Sequence, residues 1–169
     1  LTINGASGVG GTGVYLEGKG LNTPFIVNQC IFGNNTTLIH VYGNAYPATC
    51  MLNACLMGGA YNSSTGFFVD NIGGQTTTLL IYDCVLQDLV APVPGTVALV
   101  NGTNCLISMS NSIIKLDNAN NSTALTVRGG AEGRLNACSF RGLSYGITVD
   151  DDNILTGNSI LNANNVDFL

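Results

Sequence analysis

The chain has 169 residues, of which 46% are hydrophobic and only 9% are charged, and its formal net charge is −5 at pH 7. A typical soluble domain carries roughly 25% charged residues, so this composition is poor in charge. The abundance of aliphatic residues excludes intrinsic disorder, and the five cations argue against a nucleic-acid partner. No apolar run approaches the roughly 20 residues of a membrane span, so we expect no membrane partner.

Residues 1–169 are expected to form a single domain, since this length can bury a sizeable core. The sequence begins at Leu1 and shows neither an initiator Met nor a signal-peptide pattern. We therefore expect a processed or excised part of a larger chain or assembly.

Short predicted strands alternate along the chain in two families, separated by Gly, Asn, Ser and Thr turns. The first family comprises residues 13–16, 38–41, 66–69, 97–100, 124–127 and 146–149. The second comprises residues 27–32, 52–57, 81–86, 109–114 and 135–140, with a weaker last copy at 156–161. The pattern repeats every roughly 21 to 31 residues, which is typical of a solenoid.

Equivalent residues of the repeats fall into apolar columns if each repeat forms one coil. The first column is Val14, Ile39, Phe67, Ala98, Leu125 and Ile147. The second is Leu16, Val41, Val69, Val100, Val127 and Val149. The third is Phe32, Met57, Leu86, Ile114, Phe140 and Leu161. Stacking at about 4.8 Å per coil would bury apolar surface that no single coil can bury alone.

A column of Asn28, Asn53 and Asn136 marks the position where the second-family strand bends. Asn tolerates the left-handed conformation expected there, and its amide can hydrogen-bond to the next Asn of the stack. The coils of Tyr82, Ser110 and Gly157 interrupt this column.

The repeated order (apolar, Asn, any residue, Cys, any residue, Phe, a turn, then Gly-Ile-x-Val) resembles the right-handed parallel β-helix of pectin-lyase-like proteins. The resemblance implies an all-β fold, a right-handed parallel β-helix of about six to seven coils. Phage tailspikes and fibres, and capsid-associated β-helix proteins of large viruses, look similar in their low charge and their Gly, Asn and Thr content. Fold alone does not assign an activity.

Four of the six cysteines share one inward column. They are Cys30, Cys55, Cys84 and Cys138, with Ser112 and Ser159 on the remaining coils. We expect reduced core thiols, which behave as small hydrophobes. Stacked neighbours lie within bridging range, so a Cys30–Cys55 or Cys55–Cys84 bridge stays open.

We expect no metal site and no cofactor. The sequence contains no CxxC pair, and its only histidine, His40, has no second His at ligand spacing. The acidic run at 150–152 lacks the spacing of a calcium loop and is interpreted as a solvated turn.

Outward residues of the first strand family form the candidate binding stripe. These residues are Tyr15, His40, Tyr42, Phe68 and Leu99. Exposed apolar patches of this kind usually mark contact with another chain.

The same face carries the sugar groove in pectin-lyase-like enzymes, and here it presents Glu17 and Asp70 two coils apart. Two coils correspond to about 9.6 Å, at the edge of the separation in inverting glycosidases. The clustered Asp, Gly-His-Gly and Arg-x-Lys elements of polygalacturonase-like enzymes are missing. We therefore expect no catalytic residues, and Glu17 and Asp70 are the candidates if the chain is an enzyme.

The leading hypothesis is a non-enzymatic structural or attachment β-helix of a virion, located in the virion or outside the cell. Sister subunits around a threefold axis, or neighbouring virion proteins, are the expected partners, with a surface glycan as a further candidate. Two alternatives stay open: a pectin-lyase-like polysaccharide hydrolase or lyase, and an extracellular adhesin-like passenger segment.

Overall fold

The computed structural model describes residues 1–4, 11–20, 24–33, 37–58, 65–87, 96–115, 123–142, 145–150 and 159–168. Every regular element in these ranges is a β-strand. The described ranges contain no helix of the length and apolarity that crossing a membrane requires.

The strands are short and follow one another at regular intervals. In chain order they are β1 (Thr2–Asn4), β2 (Thr12–Glu17), β3 (Phe25–Asn28), β4 (Ile31–Gly33), β5 (Thr37–Gly43), β6 (Ala48–Asn53), β7 (Leu56–Gly58), β8 (Thr65–Asn71), β9 (Thr77–Tyr82), β10 (Val85–Leu86), β11 (Thr96–Asn101), β12 (Cys105–Ser110), β13 (Ile113–Lys115), β14 (Thr123–Arg128), β15 (Glu132–Arg141), β16 (Tyr145–Asp150) and β17 (Ile160–Phe168).

All strand pairs are parallel, and each strand pairs with the equivalent strands of the coils before and after it. The first face is a six-stranded sheet in the order β16-β14-β11-β8-β5-β2. The second face contains β3, β6, β9 and β12, and the third face contains β1, β4, β7, β10 and β13. The long strands β15 and β17 run through both the second and the third face.

The chain is therefore an all-β parallel solenoid, as predicted. Four coils are described without a break, over residues 37–58, 65–87, 96–115 and 123–142, and part of a coil is described on either side of them. The predicted number of six to seven coils differs from these four.

The register of the first two apolar columns is confirmed throughout, although Val149, the last member of the second column, is 45% exposed. Val14 pairs with Ile39, Ile39 with Phe67, and the series continues to Ile147. Ile39, Phe67 and Leu125 are fully buried. The core thus consists of columns that run through the coils and fill the space between the three faces.

The third column is confirmed from Phe32 to Phe140, but its predicted last member, Leu161, is wrong. Phe168 is the partner of Phe140, with the ring centroids 5.3 Å apart and nearly parallel, whereas Leu161 pairs with Gly133. The last copy of the repeat therefore lies about seven residues later than predicted. Phe168 extends the apolar column by stacking on Phe140, although as the last member it is 46% exposed.

The predicted Asn ladder exists and extends further than expected. Asn53 Nδ2 donates to Asn28 Oδ1 at 3.1 Å, and Asn164 Nδ2 donates to Asn136 Oδ1 at 3.1 Å. Asn164, and not Gly157, occupies this position in the last coil. Gly157 lies outside the described residues.

The left-handed conformation lies one residue later than predicted. Each Asn-column residue ends its second-face strand segment, and the following residue turns the corner with φ near +50°. These corner residues are Gln29, Ala54, Asp83, Asn111, Ala137 and Asn165. The backbone N–H of each of the first four donates to the carbonyl of the next coil, as Ala54 N does to Tyr82 O at 3.1 Å.

All six cysteines are free and buried. The column thiols bond to the carbonyl two residues earlier, for example Cys84 Sγ to Tyr82 O at 3.2 Å. Ser112 Oγ makes the same bond to Ser110 O at 2.9 Å, which explains why Ser can replace Cys there. In the last coil the column position belongs to Val166, which pairs with Cys138, and not to the predicted Ser159.

Candidate binding surface

The predicted stripe forms a continuous surface on the first face. Tyr15 pairs with His40, His40 with Phe68, and Phe68 with Leu99, on four neighbouring strands. Tyr42 lies beside them, two positions along β5 from His40. Their outward direction follows from the buried columns between them, because side chains alternate along a strand.

Four rings of the stripe pack on one another. His40 stacks on Phe68, with centroids 4.7 Å apart and an angle of 21° between the planes. Tyr15 meets His40 edge-on at 5.0 Å, and Tyr42 lies 6.0 Å from His40 and 6.5 Å from Tyr15. Tyr15 is 52% exposed, whereas the other three are partly buried by their neighbours. The cluster is therefore preformed, so little side-chain entropy is lost when a partner binds to it.

Carboxylates line one edge of this cluster, and both have partners. His40 Nε2 lies 2.8 Å from Asp70 Oδ1, so that the ring N–H donates to the carboxylate. Glu17 accepts a hydrogen bond from Asn44 Nδ2 at 2.6 Å and forms an ion pair with Lys19 Nζ at 2.9 Å.

These contacts shift the pKa values of two side chains. The Asn44 hydrogen bond, and then the hydrogen bond and charge of Lys19, lower the pKa of Glu17. Burial, followed by the nearby charges of Glu17, Tyr42 and Asp70, raises the pKa of Tyr15. Tyr15 is therefore held as a neutral phenol, which can donate a hydrogen bond at the edge of an apolar surface.

The two candidate catalytic carboxylates lie in one column, separated by Tyr42. Glu17 pairs in register with Tyr42, and Tyr42 with Asp70. A general acid for glycoside hydrolysis needs a raised pKa, whereas the pKa of Glu17 is lowered. The lowered pKa therefore does not suit Glu17 to the role of general acid.

A second apolar surface, which the sequence reasoning missed, lies on the third face. Ile31, Leu56, Val85 and Ile113 are in register on β4, β7, β10 and β13. Three of them are substantially exposed: Ile31 is 48% exposed, Leu56 39% and Ile113 45%. We call this set the aliphatic row. Its sequence signal was present, because the residue between the Cys and Phe columns must face outward and is aliphatic in four successive copies.

A polar recess of about 510 Å³ lies on the second face between β12, β15 and β17. Arg134 lies at its edge and makes two hydrogen bonds to Glu132, at 2.6 and 2.9 Å. Glu132 also accepts from Asn162 Nδ2 at 3.0 Å, so the charge of Arg134 is compensated by a neighbouring carboxylate.

Among the described residues, no three His, Cys, Asp or Glu side chains converge as metal ligands. Of the acidic run at 150–152, Asp150 ends β16, and residues 151 and 152 lie outside the described residues. The prediction that this run is a solvated turn therefore stays a prediction.

Comparisons of the chain with protein-family models, with curated proteins and with solved structures found no match. The parallel solenoid rests on the strand pairing alone. The finer part of the predicted resemblance, a pectin-lyase-like or virion protein, stays a prediction.

Proposed function

We propose that the chain is a non-enzymatic structural β-solenoid that joins a virion or another extracellular assembly through its aromatic stripe. The observation that carries this proposal is the preformed cluster of Tyr15, His40, Tyr42 and Phe68 on an outer face. Aromatic residues are enriched among the residues that dominate binding energy at protein interfaces. A sister subunit is the leading partner, and the low charge of the chain favours contact through apolar surface.

The proposal is tested by placing a charge in the stripe. Phe68→Asp buries a carboxylate in any contact that covers the stripe, so we expect at least a hundredfold weaker association in sedimentation velocity. The fold should be retained, because Phe68 faces outward and its neighbour Val69 supplies the core. Circular dichroism checks this.

Thr148→Asp is the matched control, since Thr148 lies in the same outward column but beyond the stripe. It should leave association unchanged. Association that is unaffected by Phe68→Asp in a folded chain would contradict the proposal. If Phe68→Asp unfolds the chain through loss of its stacking on His40, Leu99→Asp in the same outward column gives the same test.

A surface glycan is the second candidate partner, favoured by the exposed ring of Tyr15 beside Glu17 and Asn44. The polysaccharide hydrolase or lyase has weaker support, because Glu17 has a lowered pKa and Asp70 is bonded to His40. Depolymerisation that disappears in both Glu17→Ala and Asp70→Ala would favour the enzyme. An adhesin-like passenger segment would use the same stripe on a different partner.

A further inference from the structure

Two apolar surfaces lie at the same height on different faces of the solenoid. The stripe occupies the first four strands of the first face, from Tyr15 on β2 to Leu99 on β11. The aliphatic row occupies the third face of the same four coils, from Ile31 on β4 to Ile113 on β13. Both surfaces end at the same coil, because the next residues in their columns are Thr126 and Ser139.

Over the four coils that carry them, the borders of the two surfaces differ in net charge. Glu17 and Asp70 flank the stripe, with Lys19 paired to the first of them. Lys115 and Arg141, in register on neighbouring strands and both exposed, flank the row. Lys19 compensates Glu17, so the net negative charge at the stripe edge is that of Asp70. A contact of stripe with stripe would bring two such edges together, and a contact of row with row would bring cations together. A contact of stripe with row brings opposite charges together, which is the complementary arrangement.

We propose that the partner of the stripe is the aliphatic row of a second copy of this chain, so that copies join face to face into a closed ring. This inference rests on the proposed function and names the surface that the stripe meets. Two different patches on one subunit form a heterologous contact, which closes into a ring when the subunits are related by rotation alone. The equal height of the stripe and the row meets this condition, because neighbouring copies need no shift along the solenoid axis.

The available area also favours a ring over a pair. A surface four coils tall and one six-residue strand wide projects an area on the order of 400 Å², whereas a standard interface buries roughly 800 Å² per partner. A single pair through one face falls short of this value. A ring gives every copy two contacts, one through the stripe and one through the row.

The test compares a charge in the stripe with a charge in the row. Phe68→Asp and Leu56→Asp should each lower the association constant at least a hundredfold in sedimentation velocity, with unchanged circular dichroism. Thr148→Asp should assemble as the natural chain does. A photo-reactive amino acid at Leu99 should, in the assembled protein, cross-link to third-face peptides that contain Ile31, Leu56, Val85 or Ile113.

The outcomes separate this inference from the proposed function. If Phe68→Asp prevents assembly but Leu56→Asp does not, or if Leu99 cross-links to the first face, the stripe binds a partner but the ring is overturned. Assembly that withstands Phe68→Asp overturns both proposals. A natural chain that remains monomeric at high concentration overturns the ring and leaves the stripe to a different protein or to a glycan.

Discussion

Corner residues with positive φ are the most constrained single positions of this solenoid. Left-handed backbone costs an L-residue roughly 1–2 kcal/mol, and only Gly, Asn and Asp adopt it readily. Asp83, Asn111 and Asn165 suit their corners, whereas Ala54 and Ala137 adopt φ of 50° with no side-chain compensation.

Ala54→Gly should therefore stabilise the protein. Ala54 is exposed, so the substitution opens no cavity, and the steric cost of the methyl group at φ 50° disappears. We expect the free energy of unfolding to rise by about 1 kcal/mol, measured by chemical denaturation.

The matched control is Ala163→Gly, at an exposed position within the extended strand β17. There glycine only adds freedom to the unfolded chain, so the free energy of unfolding should fall by about 0.5–1 kcal/mol. An equal loss in both variants would show that the corner at Ala54 carries no strain.

The sequence predicted a bend beside the Asn column but placed the left-handed residue at the Asn itself. The corner residues are Gln, Ala, Asp, Asn, Ala and Asn, a mixture with no common type. Their conformation is imposed by the strands on either side, which must turn within one residue from the second face to the third. Local propensity therefore gives a signal at Asp83, Asn111 and Asn165 and none at the other three corners.

At the scale of single strands, β15 shows that the residue type in one coil of a column cannot be inferred from the other coils. Its Gly133 continues the buried series Cys50, Leu79, Ile107 and precedes Leu161. A Cβ atom at Gly133 would lie 2.9 Å from Val127 Cγ2 and 3.0 Å from Leu125 Cδ2. Side chains of the first face fill the space that a larger residue would need.

Gly133→Leu should consequently destabilise the protein, although it makes the column more regular. We expect a loss of about 3 kcal/mol from overpacking, measured as the change in free energy of unfolding. Ile107→Leu, which conserves volume in the same column, should cost less than about 1.5 kcal/mol. A Gly133→Leu chain as stable as the natural one would mean that the solenoid is wider at β15 than described.

In strand β17, by contrast, the repeat pattern is present in the sequence, but at a later position than the one predicted for the last copy. Asn164, Val166 and Phe168 repeat the spacing of Asn136, Cys138 and Phe140. Aligning on Ser159 as a substitute for Cys gave a copy seven residues too early. Val in place of Cys hid the better match, which the Asn164–Asn136 hydrogen bond and the stacking of Phe168 on Phe140 distinguish from the earlier register.

For the whole molecule, the buried thiols predict a loss of stability at high pH. Burial raises the pKa of Cys50 and Cys105 to about 12 and that of Cys84 to about 11, from a usual 9.0. Below pH 9 these thiols are neutral in the folded and the unfolded chain, and their full contribution to stability is present. Between pH 9 and 12 only the unfolded chain releases its protons, so the free energy of unfolding falls as pH rises.

Each such thiol contributes a slope of about 1.4 kcal/mol per pH unit within that window. Cys50→Ala should make the slope shallower by this amount when denaturation is measured at pH 9.5, 10 and 10.5 under reducing conditions. Tyr and Lys titration is common to both chains and cancels in the comparison. Equal slopes would show that Cys50 ionises as readily in the folded protein as in the unfolded one.

The overall architecture could be predicted from the sequence because the columns are chemically uniform. Five valines and leucines from Leu16 to Val127 recur at equivalent positions, and parallel stacking is the arrangement that buries them together. The aromatic stripe could also be predicted, because side chains alternate along a strand and the residues between the buried columns must face outward. The aliphatic row was missed because the position between the Cys and Phe columns accepts any residue in the repeat pattern. An outward apolar residue there adds nothing to the core, so the core pattern gives no reason to expect it.

Among the strands that the structure describes, pairing connects successive coils and not two strands of the same coil, which has a consequence for the speed of folding. A lone coil has no pairing partner, so the slow step is the meeting of the first two coils, which closes a loop of roughly 21 to 31 residues. Every later coil docks on an edge that already exists, and folding spreads along the axis from that nucleus. During synthesis the amino-terminal coils emerge from the ribosome first. Each later strand can therefore pair with a coil that has already folded.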